Sequence, residues 1–301
     1  MRRLVTSRVL LLTCGVVGAA MAVPARGQSP QASAQPAPQF EAASVKPSAG
    51  IRERAFDLSP GGRFAAKNAT LRDLVQMAYA LPSGRLRLDA QIVGGPAWIN
   101  SDRFDVVAKA EGMPAGLDAR HTAQGAVRAN EITAINQVRL MLRTLLSDRF
   151  KLAAHDELRP LPMFALVKAR NDGRLGPQLH STDVDCVAAR DAGKGQCGGF
   201  RALEPGHVIG RVTTMSAIAQ LLEGAVNNVV SDSTGLTGSY DMELRWAPDQ
   251  LQRPAGSDPA VNPDAPSIFA ALQEQLGLKL ESVKGPVDVL VIDHVEKPTP
   301  D

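Results

Sequence analysis

Apolar residues recur at helical spacing in two separate stretches of the chain, and the two stretches match. Leu71, Leu74, Val75 and Ala78 fall on one face of a helix that Thr70 opens, with Asp73 placed to reach the free amides of the first turn. Met215, Ile218 and Leu221 repeat Leu71, Leu74 and Met77 at one constant offset, behind Gly206 and Val208, which repeat Gly62 and Phe64. Residues 62–78 thus reappear as 206–222. Further helices are expected over Ile132–Ser147, with Val138, Leu142, Leu145 and Leu146 facing inward, over Met215–Glu223 and over Ser267–Gln275.

Strand patterns fill the intervals. They are expected at Arg63–Lys67, around Phe104–Ala108, at His207–Val212 and at Ser239–Trp246. Phe150–His155 and Met163–Lys168 read as two strands separated by a bend at Pro160 and Pro162, with Leu278–Val283 and Val287–Val295 as their counterparts. Residues 98–110 align with 234–246, pairing Phe104-Asp105 with Tyr240-Asp241, and Phe150-Lys151-Leu152 aligns with Leu278-Lys279-Leu280. Pro162 aligns in the same way with Pro286. A period running from residue 62 to residue 206 is too long for a solenoid. The expectation is an α+β chain of two tandem, similar units at 40–175 and 206–298, each a small, mostly antiparallel sheet covered by two helices.

The N-terminus has a different character. Arg2, Arg3 and Arg8 precede a largely apolar run from Val9 to Val23, followed by small residues at Ala20-Met21-Ala22, as in a secretory signal peptide over 1–22. Cleavage is placed after Ala22, with a site nearer Gln28 as the alternative. Cys14 lies mid-run behind Thr13, which disfavours lipidation. Residues 23–39 are rich in Pro, Gln and Ala and read as a disordered tether. Export implies a periplasmic or secreted location and no membrane span once the leader is removed.

Charge changes with the leader. Four of the 33 basic residues precede Gln28, so the mature balance is 29 against 31 acidic residues. A nearly neutral surface argues against nucleic acid as a partner. Cys186 and Cys197, in a Gly-rich linker at 176–205, read as a disulfide in an oxidising compartment; a redox or metal site is the weaker alternative. There is no HExxH, no GxSxG and no phosphate-binding glycine loop. No catalytic, cofactor-binding or metal-ligating residue is assigned, and no cofactor is expected. A polar cluster, Asp148, His155, Asp156 and Glu157, is specific to the first unit and is read as a solvated turn, with a functional site as the alternative.

Several stretches together resemble one family: FEAASVKPS at 40–48, GGPAWINSDRFDVVAKA at 94–110, LLSDRFKLAAHDELRPLPMFALVKA at 145–169, STGLTGSYDMELRW at 233–246, SIFAALQEQLGLKLE at 267–281 and VDVLVIDHVEKP at 287–298. They are similar to soil-associated exported bacterial proteins of unknown function, whose domain also occurs attached to membrane metallopeptidases of the beta-lactam-sensor type. That resemblance implies an extracytoplasmic sensing or interaction module and carries over no catalytic residue; lacking HExxH, the chain inherits no protease activity from it. Residues 142–169 are more loosely similar to the short N-terminal domain of secretins and TonB receptors. The expected function is a non-catalytic binding or sensing module of the cell envelope, taking an envelope protein or a small ligand. The alternatives are an exported hydrolase, built around the Asp148–Glu157 region and a Pro-rich loop at 247–265, and a structural envelope component.

Overall fold

The computed structural model describes residues 37–48, 53–59, 62–110, 129–186, 198–247 and 265–298. The expected leader, nearly all of the tether, Cys197 and all but the ends of the 247–265 loop lie outside the described residues. Residues from Ala37 onward form one compact unit, an α+β arrangement of helices on largely antiparallel sheets.

The first half runs β1 (Ala42–Pro47), β2 (Ala55–Ser59), β3 (Arg63–Thr70), α1 (Leu71–Ala78), a 3-10 turn at Asp89–Gln91, β4 (Ile92–Gly94), α2 (Trp98–Ser101), β5 (Arg103–Lys109), α3 (Ala129–Phe150) and β6 (Ala153–Lys168). The second half runs β7 (Leu179–Thr182), β8 (Gly199–Glu204), β9 (His207–Thr213), α4 (Met215–Val226), β10 (Val230–Asp232), β11 (Ser239–Arg245), α5 (Ile268–Ala271) with a π-helical turn at Leu272–Leu276, and β12 (Leu278–His294). Two outer sheets have matching orders, β1-β5-β3-β2 and β7-β11-β9-β8.

Local chemistry repeats with them. Thr70 Oγ1 accepts from Asp73 N at 3.1 Å while Asp73 Oδ2 accepts from Thr70 N at 2.9 Å, a full capping box on α1. Thr214 caps α4 the same way through Ala217 N, but position 217 has no carboxylate to answer. Gly62 and Gly206 both take φ 80, a left-handed turn that a Cβ would strain. Their carbonyls accept from Ala110 N and Trp246 N, closing β3 on β5 and β9 on β11. Asn68 (φ 52) and Val212 (φ 48) are left-handed residues in irregularities of β3 and β9. Each amide donates to an aspartate opposite, Asp105 at 2.8 Å and Asp241 at 2.9 Å. The aspartates at the start of the two strands therefore hold bulges.

A β-branched residue in the left-handed region is strained, whereas asparagine tolerates it. Val212→Asn, which copies Asn68, is expected to raise the unfolding free energy by about 1 kcal/mol. Urea unfolding checks this, and an unchanged or lower midpoint would contradict it.

The middle sheet departs from the sequence reading. There is not one sheet per unit; a third sheet, ordered β10-β6-β12-β4, draws strands from both halves. Each pair of expected strands is a single long strand, β6 and β12, paired antiparallel from Ala153↔His294 to Lys168↔Leu278. Pro160 and Pro162 do not interrupt β6 or its pairing. Phe164 N donates outward to Val229 O beside β10, and alternate residues share that direction, so both prolines aim their nitrogens away from β12 and remove no bond of the ladder.

Pro160 faces Pro286 directly. Four residues after each proline begins the segment that a short parallel strand covers: β10 on Phe164–Leu166 and β4 on Leu290–Ile292. Nine residues before each lies a left-handed residue that ends a helix, Lys151 and Gly277. This register pairs Phe150–Leu152 with Leu276–Leu278, two residues away from the match that sequence identity suggests. The short strands are exchanged: β4 of the first half adds to β12, and β10 of the second half adds to β6.

The cores follow the exchange. Leu71, Leu74, Val75, Phe104, Leu142, Leu146 and Phe150 pack with Leu290 and Ile292 of β12. Met215, Ile218, Leu222, Leu244, Leu272 and Leu276 pack with Leu166 of β6. Each such side chain contributes roughly 1.5–3 kcal/mol on burial. Arg143 of α3 donates to Ala78 O at 2.8 Å and lies 4.5 Å over the Tyr79 ring, closing the C-terminal end of α1.

Candidate functional site

Between α1 and β4 the chain turns back across the end of the middle sheet and buries an arginine there. Arg87 is 4% exposed. Its Nε donates to Tyr79 O at 2.9 Å, its Nη1 to Asp288 O and Oδ1 at 3.1 and 2.9 Å, and its Nη2 to Asp156 Oδ1 at 2.6 Å. Gln91 donates to the same Asp288 carbonyl at 2.9 Å and accepts from Leu88 N. One planar cation thus ties the segment after α1 to both long central strands, a role suited to the fixed fork of a guanidinium.

Arg87 lies in the wall of an open cleft of about 670 Å³ whose other cationic lining groups are Arg54, Arg72 and Arg103. Arg54 is paired with Asp73 at 2.6 Å. Arg72 and Arg103 have neutral partners among the described residues. Arg72 donates to the Asn100 side-chain oxygen and, through Nη1, to the carbonyls of Asp89 and Ile92. Arg103 donates to Asn68 O at 3.1 Å. Neither makes an ion pair with a carboxylate among the described residues. Asp89, on the same wall, accepts from Gln76 Nε2 at 2.9 Å. The second half has Ser216 where α1 has Arg72, two residues past the capping threonine, and Ser239 where β5 begins with Arg103.

Asn227, at the end of α4, completes the cleft from the second half. One helical turn before it, buried Glu223 accepts from Val230 N at 3.1 Å and forms a close ion pair through Oε2 with Arg85. Arg85 Nε has no hydrogen-bond partner among the described residues. Burial pushes the Glu223 carboxyl above its usual range, against the lowering by Val230 N and Arg85. A carboxyl raised in the folded state contributes its full stability below the ordinary glutamate range and loses it as pH rises through the raised value. Relative to Glu223→Gln, the wild-type chain should therefore lose stability as pH rises from that range toward neutrality. Parallel melts that stay level with pH would count against this.

The polar cluster read from the sequence is divided. Asp148 sits near the end of α3, its carbonyl accepting from Lys151 Nζ. His155 and Glu157 share one face of β6. His155 Nδ1 is 2.8 Å from Asp293 Oδ2, and its Nε2 is 4.0 Å from Glu157 Oε2. A hydrogen bond from Arg159 holds the Glu157 carboxyl below its usual range, the weaker attraction of His155 adding to it. Asp156 points to the opposite face, onto Arg87. None of the four lines the cleft. Cys186 closes a described segment, and Cys197, the partner expected from the sequence, lies outside the described residues. Among the described residues no group of three or more His, Cys, Asp or Glu side chains could hold a metal ion, and no helix is long and apolar enough to cross a membrane.

Arg72, Arg87 and Arg103 were not singled out from the sequence. A usable signal was present for two of them: the repeat places serine opposite Arg72 and opposite Arg103, an asymmetry that the fold does not require. Comparison with curated proteins and with solved structures found no match. One family model does match, over residues 72–295, a span that takes in Arg72, the buried arginine and both long strands; the chain belongs to that family, the proteins of unknown function DUF3738.

Proposed function

We propose that residues 40–175 and 206–298 are two copies of one module, and that the exported protein acts outside the cytoplasm by binding, not by catalysis. The observation that carries this reading is the open cleft beside Arg87, lined by arginines and side-chain amides. Its volume falls in the ordinary range for small-ligand sites. Arg72 and Arg103 orient and neutralise; they are poor proton donors or acceptors near neutral pH. The shared strand orders and the register about Pro160 and Pro286 support the duplication. The resemblance to soil-associated exported proteins, and to a domain attached to membrane metallopeptidases, supports an envelope setting and a sensing role.

Equilibrium dialysis of the purified full-length chain against an envelope extract, followed by mass spectrometry, tests the reading. A compound retained by the protein and unchanged on long incubation is the expected result. Steady conversion of an extract component would replace binding with catalysis.

Cys186 and Cys197 are proposed to form a disulfide. A Cβ placed on Gly198, next to Cys197, would lie 3.6 Å from Cys186 Sγ, so the chain returns to that sulfur. Closing this short loop would stabilise the protein by roughly 3 kcal/mol in the chain-entropy model. Thiol labelling of the denatured, unreduced chain from an oxidising compartment should leave both residues unmodified; labelling of either argues against the bond.

A further inference from the structure

We infer that the cleft holds an oxyanion, a carboxylate or phosphate carried by a small organic ligand, between Arg72 and Arg103. The inference rests on the binding reading above and names the ligand class for that same site. Four arginines line the cleft, and their partners separate them. Arg87 is saturated by Asp156 and Asp288, and Arg54 by Asp73. Among the described residues the partners of Arg72 and Arg103 are neutral oxygens and some of their donors are left over, so their charge is open to a ligand. Arg72, fixed through Nε and Nη1, keeps its Nη2 hydrogens for an anion and loses little further freedom on using them.

The second half acts as an internal control. It builds the same capped helix and the same strand with Ser216 and Ser239 at these places. Helix and strand therefore do not need the arginines. The α1 end is itself closed by the Thr70–Asp73 box, so the side chains, not the helix amides, are the anion ligands. Asp89 carries a negative charge on the same wall, which selects against ligands crowded with anionic groups. Half-exposed Leu86 and the amides of Asn100 and Asn227 offer contacts to a neutral body attached to the anion.

The test is titration of the isotopically labelled full-length chain, followed by amide and arginine Nε–H resonances. One arm uses galacturonate as carboxylate, a second uses glucose 6-phosphate, and a third uses neutral glucose. Saturable shifts at Leu86, Asn100 and Arg72 with either anion support the inference, and the stronger arm identifies the oxyanion. Arg103→Gln should weaken that binding by roughly tenfold or more, the loss expected on removing a charge-assisted contact. Arg72→Lys should weaken it by keeping the charge without the planar geometry, and raised salt should weaken it further. Arg201→Gln, on exposed β8, should bind as wild type. Arg103 is exposed, so its replacement leaves the fold intact even if Arg72→Lys loosens the helix. Shifts with glucose alone would overturn the oxyanion while leaving a binding cleft. Anion binding unaffected by Arg72→Lys and Arg103→Gln would place the anion elsewhere and overturn the inference. No shift in any arm would remove the inference and count against the binding reading as well.

Discussion

Replacing Arg87 with methionine lowers the unfolding free energy by about 3 kcal/mol, whereas Asp156→Asn costs about 1 kcal/mol. The asymmetry comes from burial. Arg87 is nearly sealed, while the side chains of Asp156 and Asp288 are 64% and 45% exposed. Removing the cation takes the Arg87 donor from the Tyr79 carbonyl, leaves the Asp288 carbonyl with Gln91 alone, and unties three segments together. Removing the Asp156 charge leaves Arg87 with Asp288, and the amide can still accept one hydrogen bond. Methionine fills much of the vacated volume, so the loss reads the polar contacts more than a cavity. Guanidinium unfolding of the three proteins distinguishes this from an ordinary surface pair, for which both changes would fall within about 1 kcal/mol of wild type.

Residues 37–175 and 176–298, made as separate chains, are each expected to fail to melt cooperatively as monomers. The first would present sixteen-residue β6 without β12, and β4 without any partner strand. Its core would lack Leu290 and Ile292, and the second would lack Leu166. Two buried leucine-sized side chains represent several kcal/mol, a large share of the stability of a domain of this size. Mixing the two should restore a single transition. The first chain alone has one ordered route, pairing β6 with a second copy of itself about Pro160, which would appear as a dimer. Two independently folded monomers, seen by sedimentation and calorimetry, would refute the strand exchange.

Much of the local structure was legible because short-range chemistry determines it. The helix faces of Leu71–Ala78 and Met215–Leu222 and the Thr70–Asp73 box follow from spacing and side-chain type, and each is present. Asp105 and Asp241 could be paired by position, and both hold a left-handed amide. The long strands were not legible. Whether proline interrupts a ladder depends on which edge its nitrogen faces, and that edge is set by β10 and β12, distant in sequence. Similarity of Phe150-Lys151-Leu152 to Leu278-Lys279-Leu280 misplaced the register, because a left-handed lysine and a left-handed glycine do equivalent work at Lys151 and Gly277.

The site hid for a related reason. In isolation, Arg85-Leu86-Arg87-Leu88-Asp89 reads as a mixed surface loop. Arg87 is buried by carboxylates 69 and 201 positions away. Asp156 drew attention through its neighbours His155 and Glu157, but alternation along β6 puts it on the opposite face with a different partner. Periodicity can separate the faces of a strand once the strand is known. It cannot supply the distant group that each face meets.

Exchange of β4 and β10 also has a temporal side. Chain synthesis proceeds from the N-terminus, and the strand that completes the first core is the last to appear: Leu290 and Ile292 follow almost everything else. Until they arrive, the side chains around Phe104 and Leu142 have an open flank. Pairings this remote in sequence raise contact order and slow folding, and exposed strand edges meanwhile invite association with other chains. A nascent molecule of this topology keeps that flank open until β12 emerges, and a holding chaperone that covered it over this interval would limit its aggregation.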